Sequence, residues 1–289
     1  MKEIYYFMVG MPSGGKTSYI VRLCSQLIMD EFNMVYKLAD RELPDGLHHI
    51  REQMDKMDGF QKIMRTFENV YYDIKLPLID EKGEKILLMI PDLSGEHYRK
   101  LVEDRYILKT IYDGLQQADV ILFFINTETM EKEERLNYDE KSATCLIEES
   151  LDLEKGDKGD APGRTLISEK ATQSQVVELL QILLNYIRKK VQIKFVISAW
   201  DRVEKKMQGK KVTPEEYLKD KLPLLYQYMR SNLEKLNYEV FGVSAQGAEY
   251  DDQVEMRKLQ EADIEIGKLV KVVMPNGMES QDMSILLRK

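Results

Sequence analysis

The chain has 289 residues, 43% hydrophobic and 32% charged, which is enough apolar material for a substantial core and too much for wholesale disorder. Its 42 Lys and Arg against 50 Asp and Glu give a formal net charge of −8, which speaks against a general nucleic-acid coat or a binder of anionic membranes. Two cysteines and three histidines, with no CxxC and no zinc-type spacing, exclude a disulfide framework and a structural zinc site, and predict a reducing, cytoplasmic setting. The segment Met1–Gly10 is too short and wrongly flanked for a signal peptide. The longest apolar runs, Val120–Ile125 and Ile86–Ile90, fall far below the length that spans a bilayer.

Strand-like and helix-like segments alternate along the chain. Glu3–Val9 is short, apolar and aromatic, as a strand is. Lys16–Met29 carries Ile20, Leu23 and Leu27 at helical spacing. Tyr72, Ile74, Leu76 and Leu78 alternate with Asp73, Lys75 and Pro77, the period of a half-exposed strand, and Lys85–Pro91 reads as a buried one. Only Asp80–Glu84 separates them, too little for a crossover helix, so the two must form an antiparallel hairpin. A helix over about Glu96–Gln117 and a buried strand Val120–Asn126 follow. Residues 148–172 lose all apolar period and are expected to be a mobile surface insertion. The helix Gln175–Lys189 shows a core face of Val176, Leu179, Leu180, Leu183 and Ile187.

The strand Gln192–Ala199, a helix over Pro214–Leu236 and the strand Tyr238–Ala245 complete an α/β pattern. Thr213 caps that helix, Pro214 occupies its first turn and Glu215 and Glu216 meet the positive end of its dipole. Residues 269–289 form a C-terminal extension in which Leu269–Met274 can add a strand. No repeat is visible, and residues 1–289 read as one domain.

Gly10-Met-Pro-Ser-Gly-Gly15-Lys16-Thr17 matches GxxxxGK[ST], and it follows a strand and opens a helix, the context that motif requires. Glycines allow a tight turn in which several N–H groups point at one anion, and the helix dipole adds positive charge there. Gly10, Ser13, Gly14, Gly15, Lys16, Thr17 and Ser18 are therefore the expected nucleotide-phosphate ligands. Lys16 reaches the β- and γ-phosphates and Thr17 offers its hydroxyl to Mg²⁺. Pro12 has no N–H, so one donor is missing from the loop. Asp92-Leu-Ser-Gly95-Glu96 stands directly after a buried strand. An acid there can hold Mg²⁺, and Gly95, with no side chain, lets its N–H approach a γ-phosphate; capping of the next helix by Asp92 is the alternative.

With these two motifs and the hairpin, the sequence resembles the P-loop GTPases of the translation-factor and Ras-like (TRAFAC) clade. Ser198-Ala-Trp-Asp201 stands where the clade has Asn/Thr-Lys-x-Asp, and Ser244-Ala245-Gln246 where it has Ser-Ala-Lys. The resemblance implies a three-layer α/β P-loop NTPase fold of the Ras-like type, with a mostly parallel sheet and one antiparallel hairpin. It also implies that Asp201 accepts from guanine N1 and N2, that the Ala245 N–H donates to O6, and that Ser244 belongs to the same base-reading set. Ala199 replaces the lysine whose stem packs on the base. Trp200, the lone tryptophan, either supplies that surface or is buried beside the sheet.

Thr66, the one threonine between Ser18 and Tyr72, stands where the clade places its γ-phosphate sensor and Mg²⁺ ligand, with Arg65 beside it as a candidate arginine finger. Glu96 occupies the place of the clade's water-orienting glutamine; it is either a base or an acid favoured by the first helical turn, with His97 as another proton acceptor.

The phosphate loop, Asp-Leu-Ser-Gly-Glu, Ser-Ala-Trp-Asp-Arg-Val, Thr-Pro-Glu-Glu-Tyr with Leu-Pro-Leu-Leu, and Phe-Gly-Val-Ser-Ala-Gln-Gly are similar to the bacterial double-GTPase proteins of conflict and defence gene neighbourhoods. That resemblance implies a regulated Mg²⁺-dependent GTPase that turns GTP into GDP and phosphate and is read by a protein effector or regulator. A nucleotide-dependent homodimer is a further expectation. The alternatives are a nucleotide-binding scaffold with little turnover and an ATPase. The basic run Arg202–Lys211 reads as a solvated loop or a contact for an acidic partner or nucleic acid.

Overall fold

A computed structural model describes residues 2–29, 33–39, 47–59, 61, 72–92, 95–126, 172–250, 252, 254, 256–257, 261 and 269–288. Thr66, Arg65 and the expected insertion at 148–172, all but its last residue, lie outside the described residues. The strands are β1 (Lys2–Val9), β2 (Tyr36–Leu38), β3 (Tyr72–Asp80), β4 (Lys85–Asp92), β5 (Val120–Asn126), β6 (Gln192–Ser198), β7 (Asn237–Ser244), β8 (Lys271–Val273) and β9 (Glu279–Ser280). The helices are α1 (Lys16–Met29), α2 (His48–Asp58), α3 (Gly95–Asp104), α4 (Lys109–Gln117), α5 (Thr172–Tyr186), α6 (Trp200–Met207), α7 (Pro214–Lys221) and α8 (Pro223–Ser231), followed by a 3₁₀ turn over Met283–Leu287.

One sheet runs in the order β2-β3-β4-β1-β5-β6-β7-β8-β9. Its centre, β4-β1-β5-β6-β7, is parallel. On the two flanks the pairs β2–β3, β3–β4, β7–β8 and β8–β9 are antiparallel, so the sheet is mixed; the expected hairpin is one of several antiparallel pairings. The hairpin itself turns on Asp80, whose Oδ1 accepts from the Lys82 and Glu84 amides at 2.9 and 2.8 Å.

Period-two alternation splits the core into two layers. Ile4, Tyr6 and Met8 of β1 face one side, with α1, α2 and the 3₁₀ turn. Phe7 and Val9 face the other, with α3 through α8. Helices on both faces of the sheet make the expected three-layer architecture.

Two helices expected as continuous are broken. The helix expected over Glu96–Gln117 divides into α3 and α4 at Arg105, which sits at φ 56°. The run Glu103–Arg105 offers no apolar anchor; Tyr98, Leu101 and Val102 on one side and Ile111 and Leu115 on the other each find the core separately. The helix expected over Pro214–Leu236 divides into α7 and α8 at Leu222–Pro223. A proline disfavours helical geometry in the residue before it, and Leu222 lies at φ −125°. The capping box at Thr213 and Glu216 forms as the motif predicts.

The C-terminal extension does more than add a strand. Met283, Leu286 and Leu287 are buried in the α1 layer, each contributing about 1.5–3 kcal/mol of transfer free energy. Polar groups hold it there: Gln26 of α1 donates to the Gln281 carbonyl at 2.7 Å and accepts from the Met283 amide at 2.9 Å. Asp282 accepts from the Val35 amide at 2.8 Å, just before β2. The buried Lys194 donates to the Leu286 carbonyl at 3.0 Å and to that of Arg288.

Candidate active site

The carboxyl ends of β1, β4, β5, β6 and β7 come to one edge of the sheet, and the motif residues sit there. The loop after β1 turns back on itself, with the Gly14 amide donating to the Met11 carbonyl at 3.1 Å and Ser13 at φ 58°. Gly15 lies at φ 92°, and a Cβ there would stand 2.8 Å from Cβ of Ser198; both backbone twist and proximity to β6 demand glycine. Asn126, at the end of β5, donates from Nδ2 to the Ser13 carbonyl at 2.5 Å and fastens the loop from the other side.

Lys16 opens α1 and is almost fully buried. Its Nζ donates to the Gly10 carbonyl at 2.7 Å, with the Met11 carbonyl at 3.4 Å, and lies 5.5 Å from the centroid of the Tyr98 ring. Thr17 and Ser18 follow, both half-buried. The Lys16 ammonium thus lies across the loop on the carbonyls of Gly10 and Met11.

Gly95 starts α3 against this loop. A Cβ on it would lie 2.5 Å from both Cα and N of Pro12 and 2.7 Å from the carbonyl carbon of Met11. The Asp-x-x-Gly glycine is thus seated on the loop's backbone, and Asp92, three residues earlier, ends β4 at the same edge. Glu96 is in the first turn of α3, where its carboxylate pairs with Arg99 at 2.6 Å. His97 is half-buried, and its Nδ1 finds no hydrogen bond among the described residues.

The residues expected to read a base also come together. Ser244, ending β7, donates from Oγ to Oδ1 of Asp201 at 2.8 Å, joining the first turn of α6 to the loop that carries Ala245. Ala199 is left-handed at φ 53°, turning the chain from β6 into α6. Trp200 is buried: its ring packs on Gly242, where a Cβ would come within 2.3 Å, and meets Tyr217 edge-on. It therefore supplies no stacking surface for a base. Arg202 pairs with Glu249 at 2.8 Å, while Lys205, Lys206, Lys210 and Lys211 are exposed.

Sequence reasoning missed the residues that support these loops. Arg22, buried in α1, donates from Nε to the Ala245 carbonyl at 2.9 Å and reaches Asp58, at the end of α2, at 3.4 Å. Burial raises the Asp58 carboxyl, against the pull of Arg22. Tyr250 donates to the Gln246 carbonyl at 3.2 Å; burial pushes its phenol up to about 12, so it keeps its proton for that bond. The available signal was Arg22 itself, a charge directly before Leu23 within the apolar period of Ile20, Leu23 and Leu27.

The family model for Double-GTPase 1 matches residues 7–289. The chain belongs to the Double-GTPase 1 family. No curated protein matches the chain. Among solved structures, one match is the translation elongation factor SelB of Methanococcus maripaludis in complex with the GTP analogue GppNHp, at 13% identity and a TM-score of 0.36. The alignment covers 91% of this chain and 34% of that one, so the chain spans about a third of its length. Among the described residues of this Double-GTPase 1 member, no helix is long and apolar enough to cross a membrane.

Proposed function

We propose that the protein is a Mg²⁺-dependent GTPase that hydrolyses GTP to GDP and phosphate and acts as a two-state switch. The observation that carries this reading is the seating of Gly95 on Met11 and Pro12 of the phosphate loop. A γ-phosphate held by the loop would meet the start of α3 there, and its loss on hydrolysis would release α3. Gly10, Ser13, Gly14, Gly15, Lys16, Thr17 and Ser18 hold the phosphates. Asp201, with Ser244 and Ala245, reads the guanine edge, because a carboxylate accepts from N1 and N2 while a backbone N–H donates to O6. Adenine presents the opposite pattern.

The donor set suits Mg²⁺, a hard cation that takes oxygen ligands and is held by one or two protein oxygens plus phosphates, not by an all-protein cage. Thr17, Asp92 and Thr66 are the residues that would hold it. When bound, the ion neutralises charge on the β- and γ-oxygens. Lys16 adds its own charge from the loop, and Glu96 or His97 orients the attacking water. The pairing of Glu96 with Arg99 damps the repulsion a bare carboxylate would exert on a phosphate.

That same pairing favours a second reading, a nucleotide-binding scaffold with little turnover, since it occupies the carboxylate, and Pro12 removes a loop donor. Single-turnover hydrolysis with and without Mg²⁺ separates the two: product above background only with the metal supports the switch, and none over hours supports the scaffold. Competition between GTP and ATP for a labelled analogue tests the base assignment, and a clear ATP preference would refute it. The cytoplasmic setting is part of this proposal on cysteine usage, and a protein effector, a nucleotide-dependent homodimer and a place in bacterial defence or signalling are part of it on the family resemblance.

A further inference from the structure

Tyr98 is fully buried, yet neither end of its side chain is used for packing alone. Its hydroxyl donates to the carbonyl of Met8 at 2.6 Å, two residues before the phosphate loop begins. Its ring lies 5.5 Å from the Lys16 ammonium, within the range of an attractive cation–π contact. The same residue belongs to α3, whose first residue, Gly95, rests on Pro12. One side chain of α3 thus touches both the strand that carries the phosphate loop and the lysine inside it.

We infer that Tyr98 is a positioning residue for Lys16. Its ring face, with the Gly10 and Met11 carbonyls, fixes the ammonium at the loop before nucleotide arrives, and its hydroxyl ties that ring to β1. An ammonium held in place loses less rotamer freedom when it meets a phosphate, so the contact raises triphosphate affinity. It also makes α3 and Lys16 one mechanical unit: α3 cannot leave the loop without withdrawing the ring from the lysine. This inference rests on the nucleotide reading of the site and names a residue that reading does not use.

The test replaces Tyr98 with phenylalanine and then with phenylalanines bearing one, two and three ring fluorines. Size is nearly constant across the series while the negative face of the ring is progressively removed. Affinity for a non-hydrolysable GTP analogue, titrated in excess Mg²⁺, should fall stepwise from the unfluorinated to the trifluorinated ring, by about tenfold in all. Tyr98→Phe alone separates the hydroxyl anchor from the ring, and melting curves check that each variant folds. A flat series, or a loss complete in Tyr98→Phe with no further effect of fluorine, overturns the inference. Failure of the unmodified protein to bind any guanine nucleotide is a different result: it removes the reading of the site itself, and the inference with it.

Discussion

Gly95→Ala adds one methyl group at the place where α3 meets the phosphate loop. The new Cβ would stand 2.5 Å from Cα and N of Pro12 and 2.7 Å from the carbonyl carbon of Met11. Favourable carbon contacts begin near 3.5 Å, so the shortfall is roughly 1 Å. All three atoms are backbone, and no rotamer change relieves the clash. Overpacking of this kind costs about 1–3 kcal/mol, equivalent to about 5- to 150-fold in an equilibrium constant. The loop is the stiffer side, held by Asn126 at the Ser13 carbonyl and by close packing of Gly15 on Ser198. The displacement should therefore fall on α3. Calorimetric titration of the variant should show GDP affinity within about threefold of wild type and affinity for a non-hydrolysable GTP analogue reduced at least about tenfold. Equal affinities for the analogue before and after substitution would refute the seating of Gly95 as a γ-phosphate contact. Equal loss of GDP and analogue would show instead that the loop gives way.

Arg22→Met removes the donor to the Ala245 carbonyl and the cation beside Asp58. Discrimination of GDP over ADP, measured by competition, should shrink by about tenfold, and stability should fall by about 1–3 kcal/mol for the acceptors left unpaired. Burial already raises the Asp58 carboxyl, and loss of the guanidinium raises it further. A raised carboxyl destabilises the fold where it is ionised, above its folded-state value, and that penalty fades as pH falls through it. In denaturant titrations the stability deficit should be largest where the carboxyl is fully ionised and should shrink as pH is lowered through its raised folded-state value. Asp282→Ala deletes the acceptor for the Val35 and Ser284 amides and should speed hydrogen exchange over Val35–Leu38 by at least about tenfold; unchanged exchange there would mean that the tail does not hold β2. The Cys24 thiol is pushed up to about 12 by burial, so iodoacetamide near about pH 8 should leave it unmodified in the folded protein and alkylate it after denaturation, as read by peptide mapping.

The central strands were legible because they are buried on both faces and carry long apolar runs, as Val120–Asn126 does. The hairpin was legible from the short Asp80–Glu84 gap alone. Helix ends were not, where the cause was tertiary. Nothing local in Glu96–Gln117 announces the left-handed turn at Arg105, because what breaks the helix is the need of Tyr98 and Ile111 to reach the same layer by separate routes. Pro223 could have announced the other break, since proline in a helix interior costs about 3 kcal/mol. The flanking strands β2 and β9 are only three and two residues long, too short for a period to show, whereas β8 falls inside the expected strand Leu269–Met274; their antiparallel pairings help make the sheet mixed. At the site, Lys16 and Gly95 follow from motif spacing, while Asp201 and Ala245 follow from the family resemblance. The residues that steady them, Arg22, Tyr98 and Asn126, belong to no spacing rule; they matter through contacts with chain distant in sequence.

Helix α1 joins these distant contacts. Lys16 at its start engages the phosphate loop, Tyr19 donates to the Met283 carbonyl of the tail at 3.2 Å, Arg22 holds the loop of Ala245 and α2, and Gln26 holds the tail again. The spacings of three, three and four residues keep all four on one side of the helix. Polar groups on a buried helix side are costly unless each is partnered, and a plain amphipathic helix would have placed apolar residues there. Their presence ties the phosphate loop, the loop of Ala245, α2 and the C-terminal tail to one rigid rod. A displacement at any one of these contacts must be borne by α1 or broken at another, so substitutions at Arg22 or Gln26, remote from the phosphates, are expected to change how tightly Lys16 and its loop hold them.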